Sequence, residues 1–120
     1  MSLFRRGPGR VDPAEALDRT LGPGGSVLLD VREAHEWSAG HAPAAVHLPL
    51  SALDAGAELP APARGRPLVV ICRSGSRSRH AARMLAARGL VAVDVTGGMA
   101  AWAEAGLPVV DGHGASGSIA

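Results

Sequence analysis

Pro67-Leu68-Val69-Val70-Ile71-Cys72 runs straight into Arg73-Ser74-Gly75-Ser76-Arg77, and a helix-forming stretch from Ser78 to Arg88 follows. The first six residues are apolar without alternation and partly β-branched, which suits a strand covered on both faces. Ser26-Val27-Leu28-Leu29-Asp30 has the same character. Strands of this kind pair in parallel and need helices on either side. Working outward, Ala44 to Leu48 and Leu90 to Val95 supply further candidate strands, and Met99 to Ala105 reads as a second helix. Asp12-Pro13-Ala14-Glu15 combines a capping Asp, a first-turn Pro and an acid three residues after the cap. A helix therefore starts there and runs to about Thr20, where Gly22-Pro23-Gly24-Gly25 breaks it. Strand and helix alternate, so the expected fold is a small single α/β domain with a central, mainly parallel sheet flanked by helices. Residues 11–110 form that domain. Residues 1–10 and 111–120, rich in Gly and Ser with little to bury, read as an N-terminal tail and a flexible C-terminal tail.

Composition narrows the function. The chain has 120 residues, enough for one core, and 47% apolar with 19% charged residues exclude a disordered or collagen-like chain. No run of eighteen apolar residues exists to span a bilayer, so no membrane role is expected. All twelve basic residues are Arg, which removes Schiff-base and Walker-lysine chemistry. Phe4, Trp37 and Trp102 are the only aromatic residues, too few for base-stacking platforms, so no nucleic-acid partner is expected. The single Cys72 cannot form an internal disulfide, and the basic residues after Met1 precede no apolar signal core. A reducing, cytoplasmic compartment is the expectation.

Ligands of a parallel sheet bind beyond the carboxyl ends of its strands, and Cys72 lies at such an end. Small residues after it let the backbone wrap tightly, Gly75 can take positive φ, and successive N–H groups can converge above the sulfur. From Cys72 to Arg83 the chain carries Arg73, Arg77, Arg79, Arg83 and His80 and no acid. Bases at a helix start oppose the macrodipole by ~0.3–1 kcal/mol each, so their presence points to an anionic substrate. The same field favours thiolate over thiol. Cys72 could instead be merely the last apolar residue of a buried strand, but that account leaves the loop and its charges unexplained.

Four segments then resemble the single-domain rhodanese-like sulfurtransferases across nearly all of residues 11–110. They are Leu28-Leu29-Asp30-Val31-Arg32-Glu33 with Glu36-Trp37; Gly40-His41-Ala42-Pro43-Ala44-Ala45 leading to Leu48-Pro49-Leu50; Cys72-Arg73-Ser74-Gly75-Ser76-Arg77-Ser78; and Gly97-Gly98-Met99-Ala100-Ala101-Trp102 with Gly106-Leu107-Pro108-Val109. Ala44 and His47 depart from the family pattern, in which Gly and Asn are common at those places. The resemblance implies a Cys72 thiolate that takes a sulfane sulfur from thiosulfate or a persulfide donor and passes it to a thiophilic acceptor. The acceptor would be cyanide, a small thiol or a protein thiol. Covalent catalysis of this kind splits one transfer into two displacements. Backbone N–H groups of Arg73, Ser74, Gly75, Ser76 and Arg77 would hold the persulfide anion, while Arg73 and Arg77 attract the small anionic donor. No metal or organic cofactor is implied.

Related phosphatases and arsenate reductases carry one more residue between Cys and Arg. Four residues separate Cys72 from Arg77 here, and Ser78 stands where the longer loop needs Arg. That ranks a phosphatase-like or reductase-like oxyanion enzyme below sulfur transfer, and a non-catalytic partner-binding module of the same family remains the main alternative. Asp30 and Arg32, at the end of the first long strand, are expected to support the site as an ion pair or loop brace. Glu33 and Glu36 read as a solvated helical face. His35, His41 and His47 recur every six residues, a spacing that fits no zinc pattern, and His41 in its Gly-His-x-Pro turn is expected to bond the backbone. Gly97-Gly98 reads as a tight strand-to-helix turn, and Met99 with Trp102 as core contacts of the last helix.

Overall fold

A computed structural model describes residues 8–120. Its elements are β1 (Arg10–Val11), α1 (Pro13–Thr20), β2 (Val27–Asp30), α2 (Ala34–Ala39), β3 (Val46–His47), α3 (Leu50–Asp54), a 3-10 turn (Ala61–Ala63), β4 (Leu68–Ile71), α4 (Ser76–Ala87), β5 (Ala92–Val95) and α5 (Gly98–Glu104). The five strands form one sheet in the order β1-β5-β4-β2-β3, and every pair is parallel. This is the α/β architecture that the sequence predicts.

The central strands β2 and β4 are buried at all four positions each, which explains their unalternating apolar sequences. Leu29, Val70 and Cys72 pack with Leu53, Ala81 and Leu85 on one face. Leu28, Val69 and Ile71 pack with Ala16, Met99 and Trp102 on the other. The Trp102 ring donates its Nε1–H to Pro108 O at 2.8 Å, so its one polar atom is satisfied inside the core. Helix α1 begins as its sequence requires: Asp12 Oδ1 accepts the Glu15 N–H at 2.8 Å, and Pro13 follows the cap.

Three boundaries differ from expectation. Helix α4 starts at Ser76 rather than Ser78, because Gly75 at φ 101° turns the chain directly into it and draws Arg77 into the first turn. Arg10, placed in the N-terminal tail by its composition, pairs with β5 as part of β1; residues 1–7 lie outside the described residues. Residues 111–120 turn back on the domain. Asp111 Oδ1 accepts the N–H groups of His113 and Ala115, and the returning chain bonds Val109 and Ala39 through the N–H groups of Gly117 and Ser118. Among the described residues, no helix is long and apolar enough to cross a membrane.

Candidate functional site

Because all strands are parallel, the carboxyl ends of β2, β4 and β5 share one rim, and Asp30, Cys72 and Asp94 are gathered there. The loop after β4 is fixed from below by α5. The orphan N–H groups of its first turn, Met99 and Ala100, donate to Cys72 O at 2.7 Å and Arg73 O at 2.9 Å. This approach requires glycine at 98: a Cβ there would overlap the Cys72 carbonyl oxygen and lie 2.7 Å from Arg73 C.

Gly75 N–H donates to Cys72 Sγ at 3.1 Å, and Ser78 Oγ lies 3.4 Å from the same sulfur. Among the described residues, Gly75 is the loop's one backbone donor to the thiol sulfur itself. Ser78 Oγ donates to Asp94 Oδ2 at 2.8 Å, and Asp94 accepts Arg10 Nε at 2.9 Å and Nη2 at 3.0 Å. Arg10 Nη2 also donates to Gly75 O at 2.7 Å. The bonds close a ring behind the sulfur: Gly75, Cys72, Ser78, Asp94, Arg10 and back to Gly75.

Cys72 has 0% exposure. The thiol, which a donor must reach, is instead buried in the core cluster with Leu53, Ala81 and Leu85, with the Gly75 N–H bonded to the sulfur. An open cavity of about 400 Å³ adjoins the loop, lined by Arg10, Ser74, Gly75, Ser76, Arg79 and Gly97. Gly75 therefore separates the sulfur from this cavity. Arg79 makes no ion pair among the described residues, so the cavity carries uncompensated positive charge.

The two arginines expected to draw the donor are held elsewhere. Arg77 Nη1 and Nη2 each donate to a Glu36 oxygen at 2.7 Å, a bidentate pair, and Arg73 Nε donates to Ala120 O at 2.8 Å. Glu36 is thus no solvated residue: it is 7% exposed, and Arg77 holds its carboxyl well below the usual range, at about 2. The Glu33 N–H, donating to Glu36 Oε1 at 3.1 Å, adds to this. A capping-box spacing from Glu33 to Glu36 was the available signal for the turn, but nothing local points to Arg77 as partner. Ser74 and Ser76 are exposed on the loop.

Asp30 and Arg32 form the expected brace, fully buried. Arg32 Nη2 donates to Asp30 Oδ2 at 2.8 Å and to Gly40 O at 2.7 Å, and Arg32 Nε to Asp30 Oδ1 at 3.0 Å. The pair ties β2 to the end of α2 and stands back from the sulfur. His41 Nδ1–H donates to Trp37 O at 2.8 Å, and both His41 and His47 stack on the Trp37 ring, with centroids 3.6 and 4.7 Å away.

The rhodanese-like domain family matches residues 13–105. The chain is 37% identical over 97 residues to the thiosulfate sulfurtransferase GlpE of Pseudomonas savastanoi pv. phaseolicola, covering 78% of this chain and 85% of that one. It is 36% identical over 104 residues to a sulfurtransferase of Allochromatium vinosum, covering 84% and 94%. A rhodanese-related protein of Thermoplasma volcanium superposes with a TM-score of 0.68 at 32% identity, covering 85% of this chain and 97% of the other. Against two longer curated relatives the chain spans 20% and 46% of their length.

Proposed function

The chain belongs to the rhodanese-like domain family, and on that premise we propose that it is a sulfurtransferase working through a Cys72 persulfide. The observation that carries this reading is the Cys72 sulfur at the end of β4, bonded by the Gly75 N–H beside a cavity flanked by Arg10 and Arg79. The Cys72 thiolate attacks the outer sulfur of thiosulfate; the sulfur–sulfur bond of the donor breaks, and sulfite leaves with the electron pair. A thiolate or cyanide then attacks the persulfide's outer sulfur and returns Cys72 as thiolate. Another persulfide can serve as donor, and a protein thiol as acceptor.

Burial of the thiol adds a step: residues Arg73 to Ser76 must lift from the sulfur before a donor reaches it. Arg73 and Ser74 are exposed, and the movement breaks the bonds of Gly75 to Cys72 Sγ and Arg10 and that of Arg73 O to the Ala100 N–H. Arg79 and Arg10 then present charge to the sulfite end of the donor, while Arg77, committed to Glu36, contributes its field only. A reducing, cytoplasmic compartment would keep Cys72 available between turnovers.

Intact-mass measurement after incubation with thiosulfate tests the proposal. The wild-type chain gains ~32 Da for one sulfur atom and Cys72→Ser gains none. No adduct on the wild type, with the fold intact, overturns the sulfur-transfer reading in favour of a partner-binding module.

A further inference from the structure

The steps above leave Ser78 and Asp94 without a task, and they do not use the bonds by which Arg10 holds Asp94 and the Gly75 carbonyl. Ser78 and Asp94 are 0% and 1% exposed, and a carboxylate at that depth in a strand is costly where an apolar residue would pack. Asp94 has two bonds from Arg10 and a third from Ser78, so it stays satisfied if Ser78 turns away. Ser78 has one hydroxyl proton and two neighbours able to accept it, the Asp94 carboxylate and the Cys72 sulfur.

We propose that Ser78 and Asp94, anchored by Arg10, are positioning residues that assign this one proton according to the state of the sulfur. While Cys72 is a thiol, its S–H donates to Ser78 Oγ and the hydroxyl donates to Asp94. When the S–H bond breaks, the proton passes to solvent water through the opened loop and the electron pair stays on sulfur. The Ser78 hydroxyl then rotates toward the sulfur, and when the loop closes again it joins the Gly75 N–H as the second donor. Arg10 serves both donors at once, because the same guanidinium holds Asp94 and the Gly75 carbonyl. The other charged groups on this rim are Arg73 of the loop, Arg79 of α4, unpaired among the described residues, Arg77 of α4 paired with Glu36 of α2, and, farther back, the closed Asp30–Arg32 pair at the end of β2. The inference deepens the sulfur-transfer reading and takes its purpose from it, but its geometry stands alone.

The test is the pH dependence of Cys72 alkylation by iodoacetamide in the full chain. Ser78→Ala removes a donor to the anion and raises the midpoint by about one pH unit, and Ser78→Thr restores it. Asp94→Asn removes a negative charge and the competing acceptor and lowers the midpoint; this fall shrinks when Ser78 is already Ala. If Asp94→Asn does not fold, Arg10→Gln at the sheet edge serves instead: Asp94 then grips Ser78 harder and the midpoint rises. Ser78 and Asp94 variants that melt earlier yet keep the wild-type midpoint overturn the proposal, since their role is then structural alone. Alkylation needs no sulfur donor. Midpoints that move in a chain that forms no persulfide would therefore end the sulfurtransferase reading and leave the relay standing, and the converse result would end the relay alone.

Discussion

Glu36 and Arg77 stand 41 positions apart in the chain and meet at two 2.7 Å bonds, which makes Glu36 the group through which acid weakens the site. Its carboxyl is held at about 2 when folded, whereas an unfolded Glu titrates near ~4.3. A lowered folded value means the stabilisation is present above the unfolded pKa and is lost as pH falls from there toward about 2. A lowering of this size corresponds to roughly 3 kcal/mol, with Arg77 the largest contributor and the Glu33 N–H and Arg32 adding to it. Denaturant midpoints taken from pH 6 down to 2.5 should fall across that window in the wild type and fall less steeply in Glu36→Gln; equal slopes would remove Glu36 from the account. Asp30 gives a sharper effect, because Asp30→Asn strands the fully buried Arg32 charge and should cost about 3–5 kcal/mol in the same measurement. Of these two ion pairs the sequence discloses only the second. Asp30 and Arg32 are two positions apart at a strand end, so local geometry brings them together, whereas the Glu36–Arg77 contact exists only after β2 and β4 have paired.

Strands β2 to β5 and α4 are legible in the chain because their signals are local: continuous apolar runs for β2 and β4, a turn-forming glycine between Cys72 and α4; the two residues of β1 are too few to carry such a pattern. What sequence reasoning could not supply is the pressure of one element on another. Helix α5 presses its first turn onto the loop after β4, with Met99 and Ala100 donating to Cys72 O and Arg73 O, and Gly98 is the residue that permits it. The doublet Gly97-Gly98 reads as a tight turn, and its φ values of 77° and 57° agree, but the loop it touches lies a strand and a helix earlier. Gly98→Ala adds both a Cβ into the Cys72 carbonyl and a side chain at positive φ, and should destabilise the fold by about 2–4 kcal/mol. The displaced α5 should also free the loop, so Cys72 alkylation under native conditions should quicken while the Ala103→Gly control, on an exposed position of α5 away from the loop, stays near wild type. Equal labelling rates in the two variants would show that α5 does not govern access to the sulfur.

At the scale of the molecule, the strand order β1-β5-β4-β2-β3 puts residues from opposite ends of the chain on one rim, which is why Arg10 can serve a loop that begins at Cys72. The same closure governs residues 111–120, whose composition says only that they bury little. Val110 exchanges both backbone bonds with His41, and the returning segment lays Gly117 and Ser118 against Gly40, the residue whose carbonyl receives Arg32. Ile119 packs against the core face that holds Trp102, and Arg73 reaches the Ala120 carbonyl. Glycine at 40 and 117 is required for this crossing, since a Cβ at either would meet the other strand's backbone within van der Waals distance. A chain cut after Val110 should therefore lose about 1–3 kcal/mol, seen as a melting temperature lower by about 4–15 °C, with Ile119→Ala reproducing part of the loss. Freed from Ala120, Arg73 should also leave the loop easier to open, so the shortened chain should label faster at Cys72. A melting temperature unchanged by the cut would mean that these ten residues are the free tail their composition suggests, and that the rim is complete without them.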